Sequence, residues 1–351
     1  MQSTQTPSQF ELHLSALAKA QGARRIGVCD LDQQEALAHL DHWLAEGFMG
    51  EMEWMRRGRD LRADLNSVHP KAKRIVIAAF DYLPPGAEPW QIIENPEKAY
   101  ISRYALGRDY HKTLRKRMKA IASALLPEQC FRVFADSAPV LEKHFAEQAG
   151  LGWIGKHTLI LSKDQGSWCF LAGFLTDAEL ELTASPETPR CGSCSACIDI
   201  CPTQAIIEPY RLDARKCISY HTIEMDAPIP EPYRKAMGNR VFGCDDCQLV
   251  CPWNRYAKLG DDDFKPRHGW DDVDLLSLFA MSTEAFEAQT QGMAIRRAGF
   301  AKFRSNLAIA MGNAPANPDM LAALEQDTQD DARMREHREW ALDQQRKKCS
   351  R

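Results

Sequence analysis

The sequence predicts a multidomain protein of mixed α+β and α/β class. An α/β domain covers residues 1–182, a small cysteine-built domain 183–260 and a helical module 261–351. Three observations lead there. Stretches of helical period alternate with short apolar runs through residues 1–180, as they do in α/β domains. Eight of the 12 cysteines fall between Cys191 and Cys251. From about residue 261 the apolar residues recur at helical spacing only. A chain of 351 residues has room for two or three domains with a substantial core.

Taken in order, residues 9–21 read as an amphipathic helix with Phe10, Leu14, Leu17 and Ala18 on one stripe. Residues 25–29 are a short strand. Residues 33–46 are helical and end at Gly47, a C-cap candidate. The run RIVIAAF (74–80) is apolar and β-branched, which suits a buried strand, and DYLPPGAEPW then breaks into a loop. Residues 109–125 are helical and basic. FRVFAD (131–136) alternates as a strand, and Pro139 is expected to open the next helix, where a first-turn proline is tolerated. LILS (159–162) and WCFLAGFL (168–175) are expected as two strands joined by a glycine turn. A polar, proline-bearing linker, 183–190, leads into the cysteines. SNLAIAMGN (305–313) and residues 319–346 read as packed helices.

The cysteines carry the clearest chemistry. Cys191, Cys194, Cys197 and Cys201 are spaced C-x2-C-x2-C-x3-C-P. Cys217 stands alone, and Cys244, Cys247 and Cys251 are spaced C-x2-C-x3-C-P. The first run is the bacterial ferredoxin spacing, in which three near thiolates wrap one 4Fe–4S cube and the cysteine before proline ligates the other cube. Cys191, Cys194, Cys197 and Cys251 are therefore assigned to one cluster, and Cys201, Cys217, Cys244 and Cys247 to a second. Pro202 and Pro252 turn the chain away from each site and offer no competing N–H donor. The 26 residues between Cys217 and Cys244 are an insertion into a pseudo-twofold ferredoxin-like module. Zinc ribbons want their two C-x2-C knuckles about 15–20 residues apart, far closer than Cys194 and Cys244. Disulfide frameworks belong to short secreted chains.

Composition narrows the setting. Charged residues are 26% and hydrophobic ones 44%, ordinary for a soluble globular protein. The first 21 residues lack the basic and apolar regions of a signal peptide, and no apolar run approaches the ~18 residues of a membrane span. Oxygen-sensitive thiolates then point to a reducing cytoplasm. A net charge of −4 argues against general nucleic-acid binding. Basic residues nevertheless cluster at 56–74, 108–119 and 296–304, where they could meet phosphate or simply form solvated helix faces.

Two further stretches are ambiguous on residues alone. Gly150, Gly152 and Gly155 spell G-x-G-x-x-G, but a helix precedes them and a strand follows, the reverse of a dinucleotide site. They suit a loop that lets a large ligand approach the backbone, with Lys156, His157 and Thr158 as polar contacts, or merely a tight turn. Asp136 ends a strand, where α/β folds place their sites, but a carboxylate there could equally serve the following helix. Asp109 and His111 form a second polar pair that could be helix capping. Cys29, Cys130, Cys169 and Cys349 have no ligand spacing and read as ordinary thiols.

With these residues in place, the chain resembles the epoxyqueuosine reductases, which complete queuosine in tRNA. The resemblance spans nearly the whole length. It rests on SRYALGRDYH (102–111), DSAPVLEK (136–143), AGLGWIGKHTLILS (149–162), CISYHTIE, MGNRVFGCDDCQLVCPWN and AIRRAGFAKFRSNLAIAMGN. That family is similar in core to cobalamin-dependent reductive dehalogenases. The resemblance therefore implies a cobalamin in the N-terminal domain beside two 4Fe–4S clusters. The D-x-H-x-x-G motif of other cobalamin enzymes is absent, so no histidine ligand to cobalt is expected. It implies further that Asp136 is the proton donor, with Arg57, Tyr104, Asp136, Lys156, His157 and Thr158 lining the cofactor. An external low-potential donor would supply electrons singly, and the epoxide oxygen would leave as water. The C-terminal helices resemble a short HEAT-like module, and Arg240, Arg296, Arg297, Lys302 and Arg304 are expected at the tRNA backbone. A monomer is expected. The rival readings are a small-molecule reductive dehalogenase and a ferredoxin-type electron carrier.

Overall fold

The computed structural model describes residues 7–126, 130–183 and 186–350. The first six residues, and positions 184–185 of the expected linker, lie outside them. Among the described residues, no helix is long and apolar enough to cross a membrane.

The N-terminal half is built on a four-stranded sheet. Its order is Arg25–Cys29, Arg74–Asp81, Cys169–Thr176 and Phe131–Phe134, and every neighbour is antiparallel. This corrects the expectation of an α/β domain, because helices and strands alternate along the chain without making parallel crossovers. The two central strands are buried on both faces, and their alternate residues feed two cores. Val76, Ala78, Phe80, Ala172 and Phe174 pack under the helices Gln9–Ala20 and Tyr110–Leu125, against Leu14, Ala18, Leu114 and Met118. Ile75, Ile77, Ala79, Leu171 and Leu175 face Phe145 and Ala146 of the helix Glu142–Gln148. Each large side chain so buried contributes about 1.5–3 kcal/mol, and truncating Phe80 would cost about 3–5 kcal/mol. Gly173 is required by packing: a Cβ there would sit 2.5 Å from the Phe134 ring.

Local signals close the elements. Ser8 and Glu11 form a capping box on the first helix. Gly47, at φ 67°, ends the helix Gln34–Ala45 in the left-handed conformation that glycine adopts without strain. Of two expectations nearby, one holds and one fails. Ile160–Leu161 and Cys169–Thr176 are both strands, with a turn at Gly166 between them, and Ile160–Leu161 pairs with Trp153–Ile154. Pro139 does not open a helix; the helix begins at Glu142, because residues 135–140 are drawn into tight turns by Ser137 N–H to Ala135 O and Val140 N–H to Ala138 O.

The remaining chain is not cleanly divided at 182 and 260. Strand Lys98–Ile101 lies between Arg240–Phe242, parallel to it, and Val273–Asp274, antiparallel. Its Ala99 and Ile101 join one core with Val241 and Phe242 of the cysteine domain and with Leu275, Phe279, Phe303 and Leu307 of the C-terminal helices. The helix Gly299–Asn313 runs through that core, buried from Ser305 to Gly312. Buried Asp245 fixes the seam by accepting from Tyr100 Oη at 2.8 Å, Ser102 Oγ at 2.6 Å and the Arg103 N–H at 2.7 Å.

Candidate active site

The eight spaced cysteines lie near one another in the fold. The thiols whose charge bears on Cys197 are Cys251, Cys191 and Cys194. Those bearing on Cys247 include Cys217 and Cys201, and Cys217 also bears on Cys244. Cys197 also bears on Cys247, so the two sets assigned from spacing adjoin. Short helices, Ala196–Asp199 and Asp246–Leu249, follow the C-x2-C turns. Backbone N–H groups point at sulfur, as Ala205 N–H does at Cys201 Sγ (3.2 Å) and as Ser219 and Tyr220 do at Cys217. Among the described residues no three such ligands converge on one point, as a single ion would require. A cube instead takes one thiolate per iron, at separate corners. Cys194 is exposed and Cys197 buried, and burial raises the thiol pKa of Cys197, Cys217, Cys244, Cys247 and Cys251 alike.

Tyr104 links the second four to the polar site. Its ring lies 6.3 Å from Phe242, two residues before Cys244, and 6.3 Å edge-on to Tyr110. Tyr110 in turn donates from its hydroxyl to Asp136 Oδ2 at 2.5 Å. Asp136 follows strand Phe131–Phe134 with φ 60°, a conformation that non-glycine residues adopt at a cost and that recurs at functional sites. Its backbone N–H donates to Glu142 Oε1 at 2.6 Å, which holds the turn. His111 Nε2 stands 3.2 Å from Asp136 Oδ2 and 2.9 Å from Arg297 Nη1, and His111 Nδ1 stands 2.7 Å from Asp109 Oδ1. Asp109 also caps the helix Tyr110–Leu125 by accepting from the His111 N–H. Both readings of that pair hold: it is a cap and a part of the site.

The electrostatics follow from the crowding of charged groups around Asp136. Asp136 and Lys143 are exposed to solvent, yet protein surrounds them closely enough for burial to lead the list of effects on each. Burial raises the Asp136 pKa, but His111 and Tyr110 more than reverse this and leave it below the usual carboxylate value. Burial lowers the His111 pKa, but Asp109 and Asp136 carry it up to about 9. Burial, with Asp136 beside it, lifts Glu142 to about 8. Burial, reinforced by Lys143, drops His157 to about 4, so its ring is neutral.

The loop after Gly150 is used differently from its sequence reading. A Cβ on Gly152 would lie 1.9 Å from Leu161 O, and one on Gly155 would strike Leu161 and His157. These glycines close a protein hairpin and leave no room for a ligand at their backbone. Lys156 turns to the first cluster loop, donating to Gly192 O (2.7 Å) and Cys194 O (2.9 Å). His157 Nδ1 accepts from the Leu159 N–H at 3.2 Å, which leaves the proton on Nε2, and Nε2 is buried without a partner. Thr158 is held at φ 68° and Arg57 is exposed.

Most residues expected at the tRNA are engaged inside the protein. Arg240 is buried and bidentate with Asp246, at 2.8 and 2.6 Å, behind the second cluster's ligands. Arg297 belongs to the Asp136 constellation. Lys302 binds Ile223 O and Asp226, and Arg304 binds Asp327 while its guanidinium lies 4.1 Å above the Phe279 ring. Arg240, Lys302 and Arg304 are held by carboxylates and carbonyls unseen in the linear sequence, whereas Arg297 stays exposed while it reaches His111. Arg296 remains exposed. The sequence reading passed over Tyr110, Glu142 and Lys143; the signal available was their place in the sequence, Tyr110 between Asp109 and His111 and the other two in the segment that follows Asp136.

Residues 190–254 match the family described as 4Fe-4S double cluster binding domain, and residues 62–137 match epoxyqueuosine reductase QueG, DUF1730. The epoxyqueuosine reductase of Pseudomonas aeruginosa is 46% identical over 341 residues, 96% of this chain and 94% of the relative. That of Escherichia coli is 46% identical over 329 residues, 92% and 86% of the two chains. A crystal structure of epoxyqueuosine reductase with a tRNA-Tyr epoxyqueuosine-modified tRNA stem loop superposes with a TM-score of 0.87 at 26% identity, covering 96% of this chain and 90% of that one. The Streptococcus thermophilus epoxyqueuosine reductase shares the fold, with a TM-score of 0.85 at 24% identity over 97% and 91% of the two chains.

Proposed function

The chain belongs to the epoxyqueuosine reductase family, and from that premise we propose how its cleft reduces epoxyqueuosine in tRNA to queuosine. The carrying observation is the juxtaposition of two cysteine fours with the Asp136 constellation, joined through Tyr104.

The eight cysteines suit two 4Fe–4S clusters, one held by Cys191, Cys194, Cys197 and Cys251 and the other by Cys201, Cys217, Cys244 and Cys247, and backbone N–H groups point at sulfurs, which favours the reduced, more negative cube. The clusters, when bound, would supply single electrons drawn from an external low-potential donor, and exposed Cys194 would hold the one that such a donor reaches. The cleft also suits a cobalamin. The unpartnered Nε2–H of His157 is the donor that a carboxamide on a corrin rim would satisfy, and neutral His157 adds no charge against the metal. On this reading Arg57, Tyr104, Lys156 and Thr158 would line the same cofactor. When bound, the group supplies the two-electron reductant that the epoxide needs.

The protein's own part is to hold the epoxide against the acid. Asp136 sits on the cleft wall, anchored by Tyr110 and by its backbone bond to Glu142, and donates a proton to the departing oxygen. The substrate base must leave its stack to reach this depth. Exposed Arg296, on the C-terminal module that resembles HEAT repeats, contacts the anticodon-stem phosphates, a salt-dependent attraction. The reading is tested by mass spectrometry of tRNA nucleosides from a strain lacking this gene. Epoxyqueuosine should replace queuosine, and complementation should reverse it. Unchanged queuosine, in a strain with no second enzyme for the step, would refute it.

A further inference from the structure

We propose that His111 recharges Asp136, so that a single carboxyl group delivers both protons the reaction consumes. The inference rests on the reading of Asp136 as the acid. Turning an epoxide into an alkene breaks two C–O bonds, takes up two electrons and releases the oxygen as water. That oxygen therefore acquires two protons, and a carboxylic acid carries one. The electrons come through the clusters; the second proton needs a source within reach of Asp136.

The geometry supplies one. His111 is nearly buried, with its side chain 8% exposed, and its ring is stacked on Tyr110 at 4.1 Å, so it cannot turn freely. Three groups surround its two nitrogens, and together they satisfy both of its protonation states. Asp109 Oδ1, 2.7 Å from Nδ1, holds the Nδ1–H in either state. Asp136 Oδ2, 3.2 Å from Nε2, accepts the Nε2–H of the imidazolium. Arg297 Nη1, 2.9 Å from the same Nε2, can donate to it only once that proton has gone. The last two contacts are mutually exclusive, and each stabilises one side of the transfer. In the step itself the Nε2–H bond breaks and an Oδ2–H bond forms. The imidazolium–carboxylate pair becomes neutral imidazole and carboxylic acid, with Arg297 now bonded to Nε2.

The charged groups facing His111 are Asp109 at the cap of its own helix, Asp136 and Glu142 from the segment after strand Phe131–Phe134, and Arg297 from the turn Ala294–Ala298. Arg297 opposes protonation and the carboxylates favour it; the balance leaves an imidazolium near neutral pH. Tyr110 touches the same Oδ2, but burial and Asp136 push its pKa far up, so it holds its proton and serves as an anchor.

The test is turnover of loaded enzyme on an epoxyqueuosine-bearing stem-loop between about pH 6 and 10, with iron and cobalt content matched. Wild type should lose kcat as pH rises through about 9, where the imidazolium is lost. His111→Gln keeps hydrogen bonding but cannot carry the proton. It should leave KM unchanged, lower kcat by about 10²-fold and abolish that limb. Asp109→Asn, which retains His111 but removes its supporting charge, should move the limb toward lower pH. A purely structural role would lower activity in either variant without moving the limb, and that result overturns the relay. If both variants keep the wild-type profile while Asp136→Asn is inactive, the relay is wrong and the acid assignment stands. If Asp136→Asn is active, the acid assignment itself has failed.

Discussion

Replacing Asp136 by asparagine removes the acid and little else. The amide oxygen still accepts from Tyr110 Oη, now at 2.5 Å from the carboxylate, and the backbone N–H still reaches Glu142. Asparagine is among the residues that best tolerate the left-handed backbone found here at φ 60°. The attraction to His111 is lost, but the Asp136 side chain is 55% exposed, so solvent screening limits this to less than about 1 kcal/mol. In a chain of this size the melting temperature should fall by no more than about 2–4 °C. Loss of a positioned general acid costs about 10²–10⁴ in rate, equivalent to about 3–5 kcal/mol of transition-state stabilisation. The assay is conversion of an epoxyqueuosine stem-loop under saturating reductant, read by nucleoside mass spectrometry, with iron and cobalt counted in the same preparation. Turnover within a few-fold of wild type, with both metals in place, would refute the assignment. A large loss accompanied by lost cobalt would refute the claim that Asp136 acts on the substrate alone.

Cys201→Ala should remove the cluster that also needs Cys217, lowering iron from about eight to about four per chain; unchanged iron would contradict the pairing. Arg240→Met leaves Asp246 buried and unpaired and should destabilise the fold by about 3–5 kcal/mol in denaturant titrations, whereas Arg296→Glu should spare stability and raise KM for tRNA most strongly at low salt. Equal behaviour of the two would mean the inward placement of Arg240 has no bearing on the fold. Buried His337 accepts from the Ile229 N–H at 2.8 Å through Nε2, and burial with Arg333 lowers its pKa to about 3. Protonation therefore favours the unfolded chain, so its contribution is full above about pH 6.5 and declines by up to about 1.4 kcal/mol per unit on acidification toward pH 3. His337→Gln, measured by melting across that range, should flatten the decline.

The cluster ligands were legible because their spacing is a local constraint: three thiolates on one cube must be close in sequence as well as in space. Asp136 was legible only through resemblance, since its φ and its partners are properties of the folded chain. Sheet order was not legible. The continuous apolar runs at 74–80 and 168–175 announce buried strands, but nothing in them states that they pair with each other antiparallel. Arg297 shows the limit most plainly. Beside Arg296 in sequence it reads as surface charge, and its meeting with His111 joins residues far apart in the chain. The glycines at 152 and 155 misled in the opposite sense, because the same lack of Cβ that admits a ligand also admits a neighbouring strand.

Strand Lys98–Ile101 has a consequence for how the molecule is made. Its parallel neighbour, Arg240–Phe242, is synthesised about 140 residues later, and at about 5–20 residues per second the ribosome needs on the order of ten seconds to deliver it. Through that interval the growing chain carries an unpaired apolar edge at Ala99 and Ile101, and the N-terminal half cannot finish folding alone. The cysteines of both clusters emerge on either side of the same closing strand. Metal loading and completion of the sheet therefore become coupled late events, and a chain truncated before residue 240 should be captured by chaperones or proteases rather than survive as a free domain.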